Sequence, residues 1–191
     1  MPVQDTALEH TTVSIRRFRM EDVPHLFTAI RESSPELCRW MTWCRSDYSL
    51  EDTAAFVARR DAQWQLGEEY SFVIYDLEND DLLGSAGLSR VDQIHRFANL
   101  GYWVRSGRTG RGIASAAVRM VGEFALKELG LNRVEIIVPS ENLASIRVAE
   151  KVGAKLEGVL MRRIVLGRRP QDALSYSLTQ DGEALHQILN R

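Results

Sequence analysis

The residues of this chain best suited to chemistry form a glycine-rich loop that carries arginines. The loop spans residues 106–112, and Arg105, Arg108 and Arg111 stand within seven positions. From Ile113 onward, apolar residues recur at helical spacing, so the loop precedes a helix. Such a helix points unpaired backbone N–H groups and the positive end of its dipole into the loop. Backbone donors combined with arginines suit a polyphosphate ligand.

Two common phosphate-binding patterns fit this loop to different degrees. The P-loop requires a Lys-Ser or Lys-Thr pair after the glycines, and this chain has none there. Gly110, Gly112 and Ser115 nearly match the dinucleotide-binding fingerprint, whose acidic residue would be Glu141. Glycine turns also precede helices in many α/β folds without binding a ligand. The loop alone leaves these interpretations open.

Length and composition are ordinary for a globular protein. The 191 residues suffice for one substantial core, and we expect residues 1–191 to form a single domain. The formal net charge of −2 gives no reason to expect attraction to nucleic acid or to an anionic membrane. The sequence shows no signal peptide and no apolar run near the roughly 20 residues of a membrane helix. We therefore expect a cytoplasmic protein without a membrane or nucleic-acid partner.

The chain has two cysteines, Cys38 and Cys44. Two cysteines cannot build a disulfide framework or a four-ligand zinc site, and no histidine lies near them in sequence. We expect both to be reduced thiols, and we expect no metal site.

The order of the predicted elements argues against a dinucleotide-binding domain. Strands are predicted at 13–18, 70–75, 82–88, 98–105, 133–138, 156–166 and 173–178, and helices at 21–30, from Ser49, from Ile113, at 142–152 and after the last strand. A dinucleotide domain places its glycine fingerprint in the first β-α-β unit, whereas this loop follows a run of antiparallel strands. The predicted fold class is therefore α/β with a mixed sheet, an antiparallel meander followed by a β-α-β crossover.

Two motifs resemble those of the GCN5-related N-acetyltransferases. The family's acyl-coenzyme A loop has Gln or Arg, two further residues, Gly, one residue, and then Gly or Ala. Residues 108–114 resemble this loop, because Gly112 and Ala114 match its last two positions. Thr109 departs from the pattern, since it stands where the family has Gln or Arg. The run Asn-Leu-Ala-Ser at 142–145 resembles the second motif of the family, at the start of the next helix. Together with Gly-Tyr-Trp at 101–103, it is most similar to the branch that acetylates the amino termini of ribosomal proteins.

The resemblance implies central strands that splay beside the glycine loop, with acetyl-coenzyme A (acetyl-CoA) in the gap. The coenzyme-binding residues it implies are Trp103, Val104, Arg105, Thr109, Gly110, Arg111, Gly112, Ile113, Ala114, Asn142 and Ser145. As catalytic groups it implies the backbone N–H of Val104, which would polarise the thioester carbonyl, and the hydroxyl of Ser145, which would protonate the leaving thiolate. The family's usual tyrosine donor is absent, because Ala149 occupies its position.

The general base is left unassigned by the resemblance. The glutamates common in this branch correspond to Ile164 and Asn99 in this chain. The remaining candidates are Asp92, His95 and Glu157, or a water chain without a dedicated base.

The binding site for the molecule that receives the acetyl group is predicted only from the types of side chain. Trp40, Met41, Trp43, Tyr102 and Tyr176 are candidates for the wall of an acceptor groove. A basic cluster at Arg162, Arg163, Arg168 and Arg169 could meet an acidic peptide or ribosomal RNA, or could simply be a solvated hairpin.

The sequence thus predicts transfer of acetyl from acetyl-CoA to a primary amine by direct attack. An α-amine has a pKa near 8, against about 10.4 for lysine, so the amino terminus of a protein or peptide is favoured. A small amine (an amino acid, a polyamine or an antibiotic) is the alternative acceptor. Two alternative functions belong to other functional classes, a non-catalytic acyl-CoA sensor and a nucleotide-dependent oxidoreductase. For the oligomeric state, a homodimer is left open.

Overall fold

A computed structural model describes the backbone of residues 6–8 and 11–179, with side chains from Val13 onward. The helix predicted after the last strand lies outside these residues.

A mixed sheet of eight strands runs through the described part of the chain. The strands are β1 (Thr6–Leu8), β2 (Thr11–Arg17), β3 (Tyr70–Asp76), β4 (Leu82–Asp92), β5 (Phe97–Val104), β6 (Arg133–Pro139), β7 (Lys155–Leu166) and β8 (Arg169–Thr179). They lie in the order β1-β2-β3-β4-β5-β6-β8-β7. Only β5 and β6 pair in parallel, through the crossover that contains the glycine loop. The predicted mixed sheet, with a meander followed by a β-α-β crossover, is confirmed.

Six α-helices cover the two faces of this sheet in the described residues. They are α1 (Val23–Glu32), α2 (Ser34–Trp40), α3 (Leu50–Ala58), α4 (Arg60–Leu66), α5 (Ile113–Glu123) and α6 (Leu143–Lys151). Helix α5 packs on one face through buried residues such as Ala117 and Val121. Helices α1 and α3 pack on the other face through residues such as Leu26 and Val57.

Helix boundaries follow local signals in the sequence. Ser49 caps α3, because its Oγ accepts the backbone N–H of Asp52 at 3.2 Å and the Asp52 carboxylate accepts the N–H of Ser49 at 2.9 Å. Ser49 and Asp52 thus form a capping box, and the helix predicted from Ser49 is confirmed. After α5 the chain continues in a π-helical turn, Phe124–Glu128, and Gly130 follows with a φ of +63°, the left-handed conformation common after a helix end.

The feature that positions the site is the divergence of β5 from β6. These strands pair at only three positions, from Phe97↔Arg133 to Asn99↔Glu135. Beyond Asn99, β5 stays paired with β4 as far as Val104↔Gly84, while β6 pairs with β8. The resulting gap opens beside the start of α5, and the expected splay of the central strands is confirmed.

Two local expectations are wrong. Cys38 and Cys44 form a disulfide rather than two thiols, because the chain turns back after α2 and brings their Cα atoms within 4.7 Å. The connection in the last hairpin is also shorter than the gap between the predicted strands 156–166 and 173–178. Gly167 and Arg168 both adopt positive φ, as a two-residue type I′ turn requires, so the next two residues already belong to β8.

Candidate active site

The start of α5 presents backbone N–H donors without a side-chain cap. Gly112 occupies the N-cap position with a φ of +80°, and no side chain accepts a hydrogen bond there. The first regular helical bond runs from the N–H of Ala116 to the carbonyl of Gly112 at 3.0 Å. The N–H groups of the preceding residues, 113–115, therefore have no acceptor within the helix. This end of α5 is built to receive an anion.

A further donor lies in the gap between the strands. The N–H of Arg105 donates to the carbonyl of Leu83 at 2.8 Å, so this residue faces β4. Because hydrogen bonds alternate along an antiparallel ladder, the N–H and carbonyl of the preceding residue, Val104, point away from β4. They face the side from which β6 has diverged.

A cavity of about 590 Å³, which we call the coenzyme cavity, joins the start of α5 to this gap. From β5 and the glycine loop it is lined by Trp103, Val104, Thr109, Gly110 and Gly112. From the two helices it is lined by Ile113, Ala114, Asn142 and Ser145. Nine of the residues expected to hold acetyl-CoA thus share one cavity.

The other two expected residues, Arg105 and Arg111, do not line this cavity. The Nε of Arg105 donates to Glu32 of α1 at 2.6 Å, and Arg111 is exposed outside the cavity. Arg108 does line the cavity, but its guanidinium pairs with Asp81 at 2.6 Å. Acidic residues elsewhere in the fold therefore hold two of the three cations that the sequence placed in the loop.

Cations from α6 were missed by the sequence analysis. Arg147 and Lys151 lie one helical turn apart, are exposed and line the coenzyme cavity. Neither side chain has an ion-pair partner among the described residues. Their i, i+4 spacing after Asn142 was a usable signal, because it places both on one face of the helix.

Asn142 caps α6 through its side chain. Its Oδ1 accepts the backbone N–H of Ser145 at 3.1 Å. This bond uses only the carbonyl oxygen of the amide, so the amide NH₂ is still able to serve a ligand. The capping role and a ligand role are compatible.

The hydroxyl of Ser145 is paired with that of Tyr102. Their oxygens lie 2.6 Å apart, and Tyr102 Oη is also 3.2 Å from the Ser145 carbonyl oxygen. Burial raises the pKa of Tyr102 to about 12, against a smaller opposing effect of the hydrogen bond to Ser145. Tyr102 is therefore neutral at physiological pH and remains a hydrogen-bond donor. The sequence could not reveal this pair, because 43 positions separate the two residues.

A second cavity, of about 570 Å³, adjoins the first. We call it the acceptor cavity, and Met41, Tyr102 and Trp103 line both cavities. Its floor is the face of the sheet on which Ser71, Gly87 and Gly101 lie side by side in register. Tyr102 lines both cavities, whereas its hydroxyl partner Ser145 lines only the coenzyme cavity.

The predicted acceptor wall is divided between these cavities. Met41, Trp43 and Tyr102 line the acceptor cavity, whereas Trp40 lines the coenzyme cavity. Tyr176 was wrongly assigned, because its side chain is 2% exposed and packs in the hydrophobic core. Its position in β8, between β6 and β7, turns it into the interior. The basic cluster of the last hairpin is exposed and lines neither cavity.

None of the three candidate bases lines either cavity. The Asp92 carboxylate accepts the backbone N–H groups of Ile94 and His95, at 2.9 and 2.7 Å, and so shapes a turn. Glu157 is held by Arg133 and by the Ser177 hydroxyl, and the bond to Arg133 lowers the pKa of its carboxyl. These carboxylates have structural partners away from the site.

In the part of the chain that the structure describes, no group of three or more His, Cys, Asp or Glu side chains could hold a metal ion. No described helix is long and apolar enough to cross a membrane.

Comparison with known proteins agrees with this geometry. The family model of the acetyltransferase (GNAT) domain matches residues 12–155. The ribosomal-protein-serine acetyltransferase of Escherichia coli (strain K12) is 27% identical over 161 residues, covering 84% of this chain and 89% of the relative. The spermidine N(1)-acetyltransferase of the same strain is 25% identical over 97 residues, about half of each chain (51% and 52%).

One of the similar solved structures contains a form of coenzyme A. Mycobacterium smegmatis RimJ in complex with CoA-disulfide superposes with a TM-score of 0.87 at 26% identity, covering 98% of this chain and 92% of that one. Both the sequence match and the structural match therefore span the two cavities. The chain belongs to the GNAT acetyltransferase family and is an acetyl-CoA-dependent N-acetyltransferase, similar to the ribosomal-protein-serine acetyltransferase and to RimJ.

Proposed function

We propose that this enzyme acetylates the N-terminal α-amine of a protein or peptide, and that residues 1–191 form a single acetyltransferase domain. The observation that carries the proposal is the junction of two cavities at Tyr102, Trp103 and Met41. One cavity has the donors that suit a coenzyme diphosphate, and the other is an open cleft on the opposite side of the same residues. The similarity to a ribosomal-protein-serine acetyltransferase supports an α-amine as the acceptor.

In this proposal, backbone groups hold acetyl-CoA. The N–H groups of residues 110–114 bind the diphosphate. Those of Ile113 and Ala114 need little reorganisation, because the helix already leaves them without acceptors. The amide of Asn142 is placed to bind the pantetheine arm. The N–H of Val104 donates to the thioester oxygen, where negative charge develops as the amine attacks.

The hydroxyl pair handles the leaving sulfur. Ser145 Oγ donates a proton to the thiolate and regains one from the proton that the amine releases. In this proposal Tyr102 Oη, 2.6 Å away, is the donor of the hydrogen bond between the two hydroxyls. In the overall reaction an N–C bond forms, the C–S bond breaks, the amine loses one proton and the sulfur gains one. Each acetyl transfer therefore requires a neutral amine, which an α-amine with a pKa near 8 supplies readily at neutral pH.

The test is transfer to peptides that offer both kinds of amine. We would incubate the enzyme with acetyl-CoA and peptides that have a free amino terminus and an internal lysine, and locate the acetyl group by tandem mass spectrometry. A matched peptide with a blocked amino terminus is the control. The proposal predicts acetyl on the α-amine of the free peptide and none on the blocked one. Acetyl on lysine alone, or on no peptide, would contradict it.

A polyamine is the second candidate acceptor. Its support is the similarity of about half of this chain to a spermidine N(1)-acetyltransferase. Spermidine in the same assay distinguishes the two candidates, since acetylation of spermidine without any acetylated peptide would favour the polyamine.

A further inference from the structure

The wall of the acceptor cavity carries more arginines than carboxylates. Five charged side chains of this wall belong to the loop after α2, to helices α3 and α4 with the corner between them, and to the residue before β3. They are the three arginines Arg45, Arg59 and Arg60 and the two carboxylates Asp52 and Glu69.

Both carboxylates are occupied by protein donors. Glu69 Oε2 accepts Arg60 Nη1 at 2.6 Å. Asp52 Oδ2 accepts the backbone N–H of Ser49 at 2.9 Å and Arg45 Nη2 at 2.6 Å. These bonds, first to the Ser49 backbone and then to Arg45, lower the pKa of the Asp52 carboxyl. The wall therefore offers a cationic ligand no carboxylate that is free of an arginine.

Two of the arginines are committed in the same way. Arg60 is buried, donates to the Phe56 carbonyl and the Ser71 hydroxyl as well as to Glu69, and lies over the Phe56 ring at 4.1 Å. Arg45 lies between Asp47 and Asp52, with donor–acceptor distances of 2.9 and 2.6 Å. Both guanidinium groups serve to shape the wall.

Arg59 is different. It stands at the corner between α3 and α4, where its backbone N–H bonds to the carbonyls of Phe56 and Val57. Its side chain is exposed and lines the cavity, and among the described residues it has no hydrogen-bond or ion-pair partner. A guanidinium in this position is a donor fork that matches a carboxylate.

We propose that Arg59 forms an anion subsite in the acceptor cavity, and that the acceptor is an amine with a carboxylate nearby, namely a peptide with Asp or Glu among its first residues. The inference rests on the proposed function of this cavity. An acidic peptide gains a charge-assisted hydrogen bond to Arg59. A polyamine or a lysine-rich peptide brings like charge to Arg59 and finds both carboxylates already paired.

The experiment compares two peptides with the same first residue, one followed by acidic and the other by basic residues. Affinity is measured by calorimetry with the enzyme saturated with CoA, and kcat/KM is measured with acetyl-CoA. The variants are Arg59→Glu and, as the matched control, Arg163→Glu. Arg163 is an exposed residue of β7 that lines neither cavity, so its replacement changes the total charge equally.

We expect the wild-type enzyme to prefer the acidic peptide by about fivefold, the size of a partly exposed ion pair. Arg59→Glu should abolish or reverse this preference, and Arg163→Glu should keep it. Equal affinities in the wild type, an unchanged preference in Arg59→Glu, or no binding of either peptide would overturn the subsite. Preferential binding without acetyl transfer would leave the subsite standing and would count against the proposed function instead.

Discussion

At the scale of single residues, two hydroxyl groups of the coenzyme cavity carry the proposed protonation of the leaving sulfur. Ser145 Oγ and Tyr102 Oη lie 2.6 Å apart, and each hydroxyl has one proton to donate. When Tyr102 donates to Ser145, the proton of Ser145 is free to point at a sulfur in the coenzyme cavity. Tyr102 therefore acts through Ser145, as a positioning residue.

Replacement of these hydroxyls should slow turnover more than it weakens coenzyme binding. We expect Ser145→Ala to lower kcat by about 100-fold, the range of a lost general acid. Tyr102→Phe should lower kcat by about tenfold, the value of one hydrogen bond. The KM for acetyl-CoA should change little in either variant, as steady-state kinetics would show.

The double variant tests whether the two residues act as one unit. Because Tyr102 acts through Ser145, the double variant should be no slower than Ser145→Ala alone. Tyr48→Phe is the control, since it removes from the acceptor cavity a hydroxyl that bonds Thr53 instead. Additive losses of kcat in the double variant would show that Tyr102 does not act through Ser145.

The pH dependence of the rate follows from two titrations. For an α-amine acceptor, kcat/KM should rise with pH through about 8, as the amine loses its proton. Because burial raises the pKa of Tyr102 from 10 to about 12, the folded protein favours neutral Tyr102. Tyr102 therefore keeps its proton, and can donate its hydrogen bond, throughout the range below pH 10, and it loses that proton only as the pH rises through about 12. A stopped-time assay between pH 6 and pH 10 should show a single rise of kcat/KM with pH. A fall in kcat below pH 10 that is absent in Tyr102→Phe would contradict this expectation.

Cations of α6 should matter more for the coenzyme than the exposed arginine of the loop. Arg147 and Lys151 line the coenzyme cavity, whereas Arg111 does not. We expect Arg147→Ala and Lys151→Ala each to raise the Kd for CoA by about fivefold, less at high salt. Arg111→Ala is the control and should change it little. If calorimetry showed a larger rise in the Kd for Arg111→Ala than for Arg147→Ala and Lys151→Ala, the sequence-based prediction that Arg111 binds the coenzyme would be favoured instead.

At the scale of elements, we propose that the glycine loop and α5 form the anion-binding part of the site. Gly110 has a φ of +77°, a conformation that costs an L-residue about 1 kcal/mol or more. A Cβ at Gly110 or at Gly107 would meet no atom within 4 Å, and only Gly110 has a positive φ. The two glycines therefore differ in backbone conformation and not in available space.

This difference provides a matched pair of substitutions. Gly110→Ala should lower the free energy of unfolding by about 1 kcal/mol and weaken CoA binding, because the strained loop shifts its N–H donors. Gly107→Ala should leave both quantities unchanged or add slightly to stability. Chemical denaturation and calorimetry would measure them, and equal effects of the two substitutions would rule out a special role for the loop conformation.

The element after α2 shows what the sequence could not predict. The disulfide between Cys38 and Cys44 encloses Trp40, Met41 and Trp43, which line the two cavities. Whether two cysteines six positions apart can meet depends on how the helix ends, and no residue type encodes that geometry. The loop arginines are similar, since their ion pairs join positions 73 and 27 residues apart.

At the scale of the whole molecule, the sequence predicted the features that are local or periodic. The strands, the helix start at Ser49, the helix from Ile113 and the crossover follow from alternation, capping and glycine position, and the structure has all of them. The features it missed arise from tertiary contacts. Tyr102 meets Ser145, Arg147 enters the coenzyme cavity and Tyr176 turns into the core only because the sheet brings distant segments together.

The central claim is that the splayed strands and the start of α5 hold acetyl-CoA with its thioester beside Val104. The most direct measurement is a crystal structure of the enzyme with CoA bound. The account predicts the diphosphate within hydrogen-bond distance of the N–H groups of residues 110–114, and the sulfur near Val104 N and Ser145 Oγ. A diphosphate bound away from the start of α5, or a sulfur on the far side of the sheet from Ser145, would contradict it.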